Sequence, residues 1–422
     1  MRCRGCGLTL NASHVFADLG YHPMANALRT KAQLQDPEVR YLTRPLTCPH
    51  CLLVQLPHVP PPSVLFPGGY PFFSGASLGW VKHCRAYAEQ VIDALGLGPR
   101  SRVLEIGSND GTMLRGFRDH NIPAVGVEPC EQLAEYAQVE GLATVCTFWS
   151  EAFARGMAQN HKPTPGYADL VIANNVLAHV PDLLDFLRGV KVILAPGGVA
   201  TFEVPHIAHL IENAAFDQVY AEHHCYFSLH SLAQALGQAG LDVQDVEEIP
   251  THGGSLRIWV RPYSEEWETT DRARLVYQDE CDRGLDRIDT YLAFASRPPE
   301  VKRRALAILG ALEGKRVVAY GASAKATTML NYLGVGSEWI QAIGDVTSAK
   351  RGKYLPGVRI PVVSEDQLQR LEPDVIVNML WNWRAESEAR LRELLPGTPI
   401  VYLNESPSTH LEVPGVEIGV EQ

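Results

Sequence analysis

Residues 101–117 read Ser-Arg-Val-Leu-Glu-Ile-Gly-Ser-Asn-Asp-Gly-Thr-Met-Leu-Arg-Gly-Phe, a strand, a glycine turn and a helix in succession. Val103-Leu104-Glu105-Ile106 is a short apolar strand, Gly107 and Gly111 permit a sharp turn, and Met113, Leu114 and Phe117 recur at helical spacing. A strand that passes through a glycine turn into a helix opens a doubly wound parallel sheet, whose ligands sit at the carboxyl ends of the strands. The spacing departs from the G-x-G-x-x-G that cradles a pyrophosphate. Glu105 at the strand end would repel a phosphate but suits a ligand that carries an ammonium and a sulfonium. Downstream, Pro-Ala-Val-Gly-Val-Glu at 123–128 predicts a second strand, with Glu128 placed to accept hydrogen bonds from a ribose diol. A third strand runs from Asp169 to Asn174 and Asn175, and Leu194-Ala-Pro-Gly-Gly is expected to end a helix.

These four segments, EIGSNDG, GVEP, DLVIANNVLAHV and LAPGG, resemble the motifs of class I S-adenosylmethionine (SAM)-dependent methyltransferases. Asn109 stands where that family usually has glycine. The resemblance implies a SAM site at Glu105, Gly107, Asn109, Gly111, Glu128, Asn174 and Asn175.

Working outward towards the N-terminus, Cys3-Arg-Gly-Cys6 and Cys48-Pro-His-Cys51 are two C-x2-C knuckles. Each puts two thiolates on one tight turn, and together they complete a tetrahedral zinc site in which every position is filled by protein, as in a structural centre. His50 lies inside the second knuckle without being a ligand, and the sequence around it predicts strand, knuckle, strand. A unit of this size needs such a staple. The other cysteines, at 84, 130, 146, 225 and 281, show no pairing pattern and are expected to be small core residues. Nine cysteines in a chain of 422 residues form no disulfide scaffold, so a reducing compartment is expected. Prolines at 57, 60, 61, 62, 67 and 71 mark the linker out of this unit.

On the other side of the sheet segments, residues 216–227 read Phe-Asp-Gln-Val-Tyr-Ala-Glu-His-His-Cys-Tyr-Phe. Histidine accepts a proton near neutral pH, tyrosine donates to a developing oxyanion, and a carboxylate orients either group. The set suits carbon-acid chemistry, in which a proton next to a carbonyl is removed and the enolate held for alkylation. With the four-cysteine unit, Thr251-His252-Gly253-Gly254-Ser255-Leu256-Arg257 and a third α/β unit, the whole chain resembles nucleotide-sugar C-methyltransferases, which act at carbon 3 of TDP-4-keto-deoxysugars in antibiotic deoxysugar pathways. That resemblance implies His223 as the base, Tyr220 and Glu222 as its neighbours, and Tyr70 and His179 as further active-site positions. Adjacent residues on a helix do not face each other, so Glu222 is expected to orient substrate or Tyr220. His224 is a rival base. His252 is either a turn residue or a substrate contact, and His206 and His209 stay unassigned.

Residues 261–310 are charged and helical in period, a connector with a solvated face. Then Lys315 to Thr328 repeats strand, glycine turn and helix, and Gly321, Ser323 and Lys325, with Lys350 on a later basic loop, form an expected cradle for the phosphates of a nucleotide sugar. The expected fold is α/β: a zinc-binding domain (1–66), a Rossmann-like methyltransferase domain (67–262), a helical connector (263–310) and a second Rossmann-like domain (311–422). Hydrophobic residues make up 46% and charged residues 20%, the balance of a globular chain, and the formal charge of −11 argues against nucleic acid as a partner. No apolar run is long enough for a membrane helix, and the first residues lack a signal-peptide layout, so a cytoplasmic enzyme is expected. An O- or N-methyltransferase, or a non-catalytic zinc-containing nucleotide-binding scaffold, are the alternatives.

Overall fold

The computed structural model describes residues 1–65, 73–160, 166–264 and 266–404. The N-terminal unit holds an antiparallel pair, β1 (Tyr21–Pro23) with β2 (Arg40–Leu42), then β3 (Leu46–Thr47), the second cysteine knuckle, and β4 (Val54–Gln55). Strand, knuckle, strand is thus the order observed.

The central sheet contains β5 (Val103–Ile106), β6 (Ala124–Glu128), β7 (Thr144–Cys146), β8 (Ala168–Asn174) and β9 (Leu194–Pro205) in parallel. After the short β10 (Cys225–Tyr226) come β11 (Leu241–Ile249) and β12 (Ser255–Pro262), and the sheet order is β11-β12-β9-β8-β5-β6-β7 with β12 antiparallel to both neighbours. The parallel run is the doubly wound sheet expected from the glycine turn, and the sheet as a whole agrees with the class I fold that the motif resemblance implies. Parallel strands covered on both faces should be apolar throughout, and Leu104, Val171, Ile172, Ala173, Ala200 and Phe202 are indeed fully buried. The helix Leu183–Ile193 stops one residue before Leu194, so LAPGG opens β9 instead of ending the helix.

The connector consists of helices Asp271–Asp282, Ile288–Ala293 and Arg297–Ala311. Beyond it, β13 (Val317–Tyr320), β14 (Ile343–Gly344), β15 (Val362–Val363), β16 (Val375–Asn378) and β17 (Ile400–Val401) form a second, wholly parallel sheet in the order β15-β14-β13-β16-β17.

The units are sewn together. β10, which directly follows His223 and His224, is an edge strand of the N-terminal sheet, with Tyr226 opposite Val54 and Cys225 opposite Gln55. Phe16 of the N-terminal unit stacks on Phe294 of the connector, their rings 4.4 Å apart. Arg29 exchanges backbone hydrogen bonds of 2.9 and 2.8 Å with Tyr354 of the second sheet unit. Of the five unpaired cysteines, Cys84, Cys130 and Cys225 are buried, but Cys146 is exposed at the end of edge strand β7 and Cys281 is half-exposed, so these two are not core residues. No helix among the described residues is long and apolar enough to cross a membrane.

Candidate active site and metal centre

The ligand atoms of Cys3, Cys6, Cys48 and Cys51 all lie within 4.8 Å of one another. Cys3 and Cys51 approach to 3.5 Å and Cys6 and Cys48 to 3.6 Å, close to the ~3.8 Å between sulfurs held 2.3 Å from a tetrahedral zinc. Gln55 Nε2 donates to Cys3 Sγ at 3.1 Å and the Gly5 amide at 3.4 Å, the kind of support that a thiolate ligand receives. The four sulfurs form the zinc site, and no thiol among them is oxidised.

At the carboxyl end of β5, Gly107, Asn109 and Gly111 have φ of +71°, +51° and +75°. Glycine adopts this region freely and asparagine tolerates it, so the departure at Asn109 keeps the turn. Its side chain does further work: Asn109 Oδ1 accepts the Ser74 amide at 2.9 Å, while Asp110 Oδ2 accepts the Gly75 amide at 2.8 Å. The segment after the proline linker is thereby tied to the glycine turn. Glu128, at the end of β6, accepts the Asn109 and Cys130 amides, each at 2.8 Å.

Burial pushes Glu105 well above the ordinary carboxylate range, reinforced by the charges of Asp110 and Glu128. Glu105 Oε2, Ser108 Oγ and the amide atoms of Asn174 and Asn175 are buried without partners within the protein. Buried polar atoms ordinarily have partners, so this cluster at the ends of β5 and β8 marks a ligand site. Its acidic, amide-rich chemistry fits the ammonium, sulfonium and ribose of SAM.

Residues 219–224 form a turn and not a helix. His223 N bonds the Tyr220 carbonyl at 2.9 Å, and this reversal sets the Tyr220 hydroxyl 2.8 Å from His223 Nε2. His179 packs edge-on against His223, ring centroids 4.7 Å apart, and its Nδ1 lies 2.8 Å from the Glu222 carbonyl, to which it donates. Burial, then the charges of His179 and Lys325, hold His223 well below the usual histidine range. Glu222 Oε1 accepts the Asn26 amide at 2.9 Å, so one carboxylate oxygen locks the N-terminal unit onto the turn, and Oε2 has no partner within the protein. His224 differs from His223. It is fully buried, both ring nitrogens lack partners, and its backbone carbonyl accepts the Leu56 amide. Tyr70 lies outside the described residues.

Several residues that the sequence did not single out complete the wall. His83 Nε2 sits 2.8 Å from Glu203 Oε2, and Arg257 reaches Glu203 Oε1 through Nε at 2.8 Å. Although burial raises it, the bond from His83 and the charge of Arg257 hold Glu203 below its ordinary value. Trp80 stacks on His83 and lies 5.7 Å from His252, whose φ of +56° makes it a left-handed turn residue facing this cluster. Trp381 Nε1 donates to Asp217 Oδ2 at 2.7 Å, and the Trp381 ring lies 5.4 Å from Lys325 Nζ. Burial raises Asp217 to about 6 against the opposing charge of Lys325. An acid inside the apolar run Val199–Val204 was the signal for Glu203; Asp217 had none beyond its place in the histidine-rich segment.

The phosphate cradle is altered by its surroundings. Gly321 turns at φ +96° as expected, but Ser323 Oγ caps its own helix by accepting the Ala326 amide at 3.2 Å. Lys350 Nζ donates to Asp345 Oδ2 at 3.0 Å, and that oxygen also takes the Ala322 amide at 3.0 Å. The charge of Lys350 is therefore neutralised by Asp345, whereas Lys325 points to the seam with the central domain.

Three family models match the chain: "Putative zinc binding domain" over residues 3–66, "Methyltransferase domain" over 80–246 and "C-methyltransferase C-terminal domain" over 250–401. The chain is 32% identical over 395 residues to the C-methyltransferase NovU of Streptomyces niveus, covering 93% of this chain and 92% of that one. Among solved structures, an S-adenosylmethionine-dependent methyltransferase from Clostridium acetobutylicum aligns at 11% identity, covering 44% of this chain and 92% of its own, with a TM-score of 0.34. The CcbJ methyltransferase from Streptomyces caelestis aligns at 15% identity over 43% of this chain and 90% of its own, with a TM-score of 0.32.

Proposed function

The chain belongs to the SAM-dependent C-methyltransferase family, and on that premise we propose that it methylates carbon 3 of a nucleotide-linked 4-keto-deoxysugar. The Tyr220–His223 pair carries this reading. Carbon methylation needs a base and an oxyanion donor side by side, whereas a hydroxyl or amine acceptor needs no enolate.

When bound, SAM supplies an electrophilic methyl group for a carbon nucleophile, held against Glu105, Gly107, Asn109, Gly111, Glu128, Asn174 and Asn175. His223 takes the proton from the carbon next to the ketone. Its low proton affinity keeps it neutral, and so able to accept, at physiological pH. In the imidazolium that results, Nε2–H donates to the Tyr220 oxygen, and the Tyr220 O–H turns to donate to the enolate oxygen. His179 buttresses the ring of His223 edge-on, Glu222 fixes the turn, His252 closes the pocket with Trp80, and the family resemblance adds Tyr70 as a further active-site residue.

The nucleotide is held from the third unit, and binding energy remote from the reacting carbon positions the sugar. Lys325 is the cation we assign to it, with Gly321 and Ser323 shaping the loop; Lys350 acts through Asp345. The division at residues 66, 262 and 310 belongs to the same proposal, supported by the separate central and C-terminal sheets. A deoxysugar pathway of antibiotic biosynthesis, in the cytoplasm, is the setting this substrate class implies. Incubating the purified protein with SAM and a TDP-4-keto-deoxysugar tests the reading. Proton and carbon NMR should locate the new methyl on carbon 3, and a methyl on oxygen or nitrogen would overturn it.

A further inference from the structure

His206 and His209 have no part in the chemistry above, and with Glu248 they form a second group of ligand atoms within 4.8 Å of one another. His206 Nε2 lies 2.8 Å from Glu280 Oε1, and both side chains are buried. Glu280 comes from the connector, and its two oxygens also accept the amides of Leu229 and His230. A carboxylate that already takes these donors requires the hydrogen on His206 Nε2. That fixes the tautomer and leaves Nδ1 as the coordinating nitrogen, buried with no partner within the protein. An unmatched buried ring nitrogen is costly. The ring of His209 lies against Gly254, where a Cβ would come within 2.6 Å of Nε2, so glycine makes room for it.

We propose that His206 Nδ1, His209 and Glu248 bind a divalent transition-metal ion, zinc by the chemistry of the donors, at a site separate from the four cysteines. Two imidazoles and one carboxylate, with a second carboxylate behind one imidazole, are a ligand set and outer shell that suit zinc. Arg283, the neighbouring cation, is paired with Glu212 and Asp279 and does not occupy the site. His206 follows the end of β9 and Glu248 lies near the end of β11, on either side of the start of β12, where Ser255 pairs with Pro205 and Ile249. An ion here clamps the sheet edge from which the His252 turn projects.

Zinc titration of the full-length protein, already carrying its cysteine-bound zinc and freed of excess metal, tests the site by calorimetry and metal analysis. The wild type should bind one further zinc, His209→Ala and Glu248→Gln should lose it, and both should retain the cysteine-bound ion. Glu280→Gln, which touches the ion only through His206, should weaken the second zinc ~10–100-fold, which an adventitious surface site would not do. No second zinc in the wild type, or equal binding by wild type and variants, would overturn the proposal.

Discussion

At the scale of single residues, the site is a set of buried ionisable groups whose proton affinities have been pulled apart. Burial holds His223 well below its usual range, and His252 is lowered to about 4 by burial and the charge of Lys325, so His252 does not change charge between pH 7 and 5. Asp217, raised to about 6 by burial, does. Its folded-state proton affinity exceeds that of an unfolded aspartate, so it takes up a proton as pH falls through 6, weakening its bond to Trp381 and leaving Lys325 unopposed. The KM for the nucleotide sugar should therefore fall below an inflection near pH 6, as Lys325 becomes available to the phosphates, and Asp217→Asn should remove that inflection. The same sign says that ionised Asp217 destabilises the fold above that pH, so Asp217→Asn should unfold at higher denaturant concentration at pH 7. The sequence displayed Tyr220, Glu222 and His223 because they are close neighbours. It hid His83 with Glu203 and Asp217 with Trp381, since those partners lie 120 and 164 positions apart and only the folded sheet ends bring them together.

Among elements, the turn from β5 into the helix Thr112–Asp119 is the most demanding. Gly111 sits at φ +75°, and a Cβ there would lie 2.3 Å from Leu142 Cδ1. Gly111→Ala should cost ~1–3 kcal/mol of stability through crowding and left-handed strain, and should weaken S-adenosylhomocysteine binding as the 107–111 turn shifts. Urea unfolding and calorimetry would read the two effects. This element was legible because strand, glycine turn and helix are all local. The turn at 219–224 was not, for its conformation is set by the Leu56 amide, Asn26 and His179 from elsewhere in the chain. The second glycine turn, at Gly321, was legible as a shape, but the neutralisation of Lys350 by Asp345 was not.

Over the whole molecule, the zinc unit supports the turn at 219–224 directly, through β4 against β10 and Asn26 against Glu222. Removing the cysteine-bound zinc with a chelator should therefore abolish turnover while S-adenosylhomocysteine still binds: Cys48, Cys51 and Leu53 share the core on one face of the seven-stranded sheet, but Val103, Leu170, Ile172 and Val199 pack with Tyr87 and Phe117 in a core that contains no residue of the zinc unit. Equal loss of both would contradict that division of labour. The spacing of the cysteines announced this unit, but nothing in the pattern placed Phe16 on Phe294 or Arg29 against Tyr354. The proposed reaction begins when His223 removes a proton from the carbon to be methylated. The most direct test is deuterium exchange from solvent into that carbon of a TDP-4-keto-deoxysugar, with S-adenosylhomocysteine in place of the methyl donor. The wild type should catalyse the exchange and His223→Gln should slow it ~10²–10⁴-fold with S-adenosylhomocysteine affinity unchanged; equal exchange by the two proteins would contradict the claim.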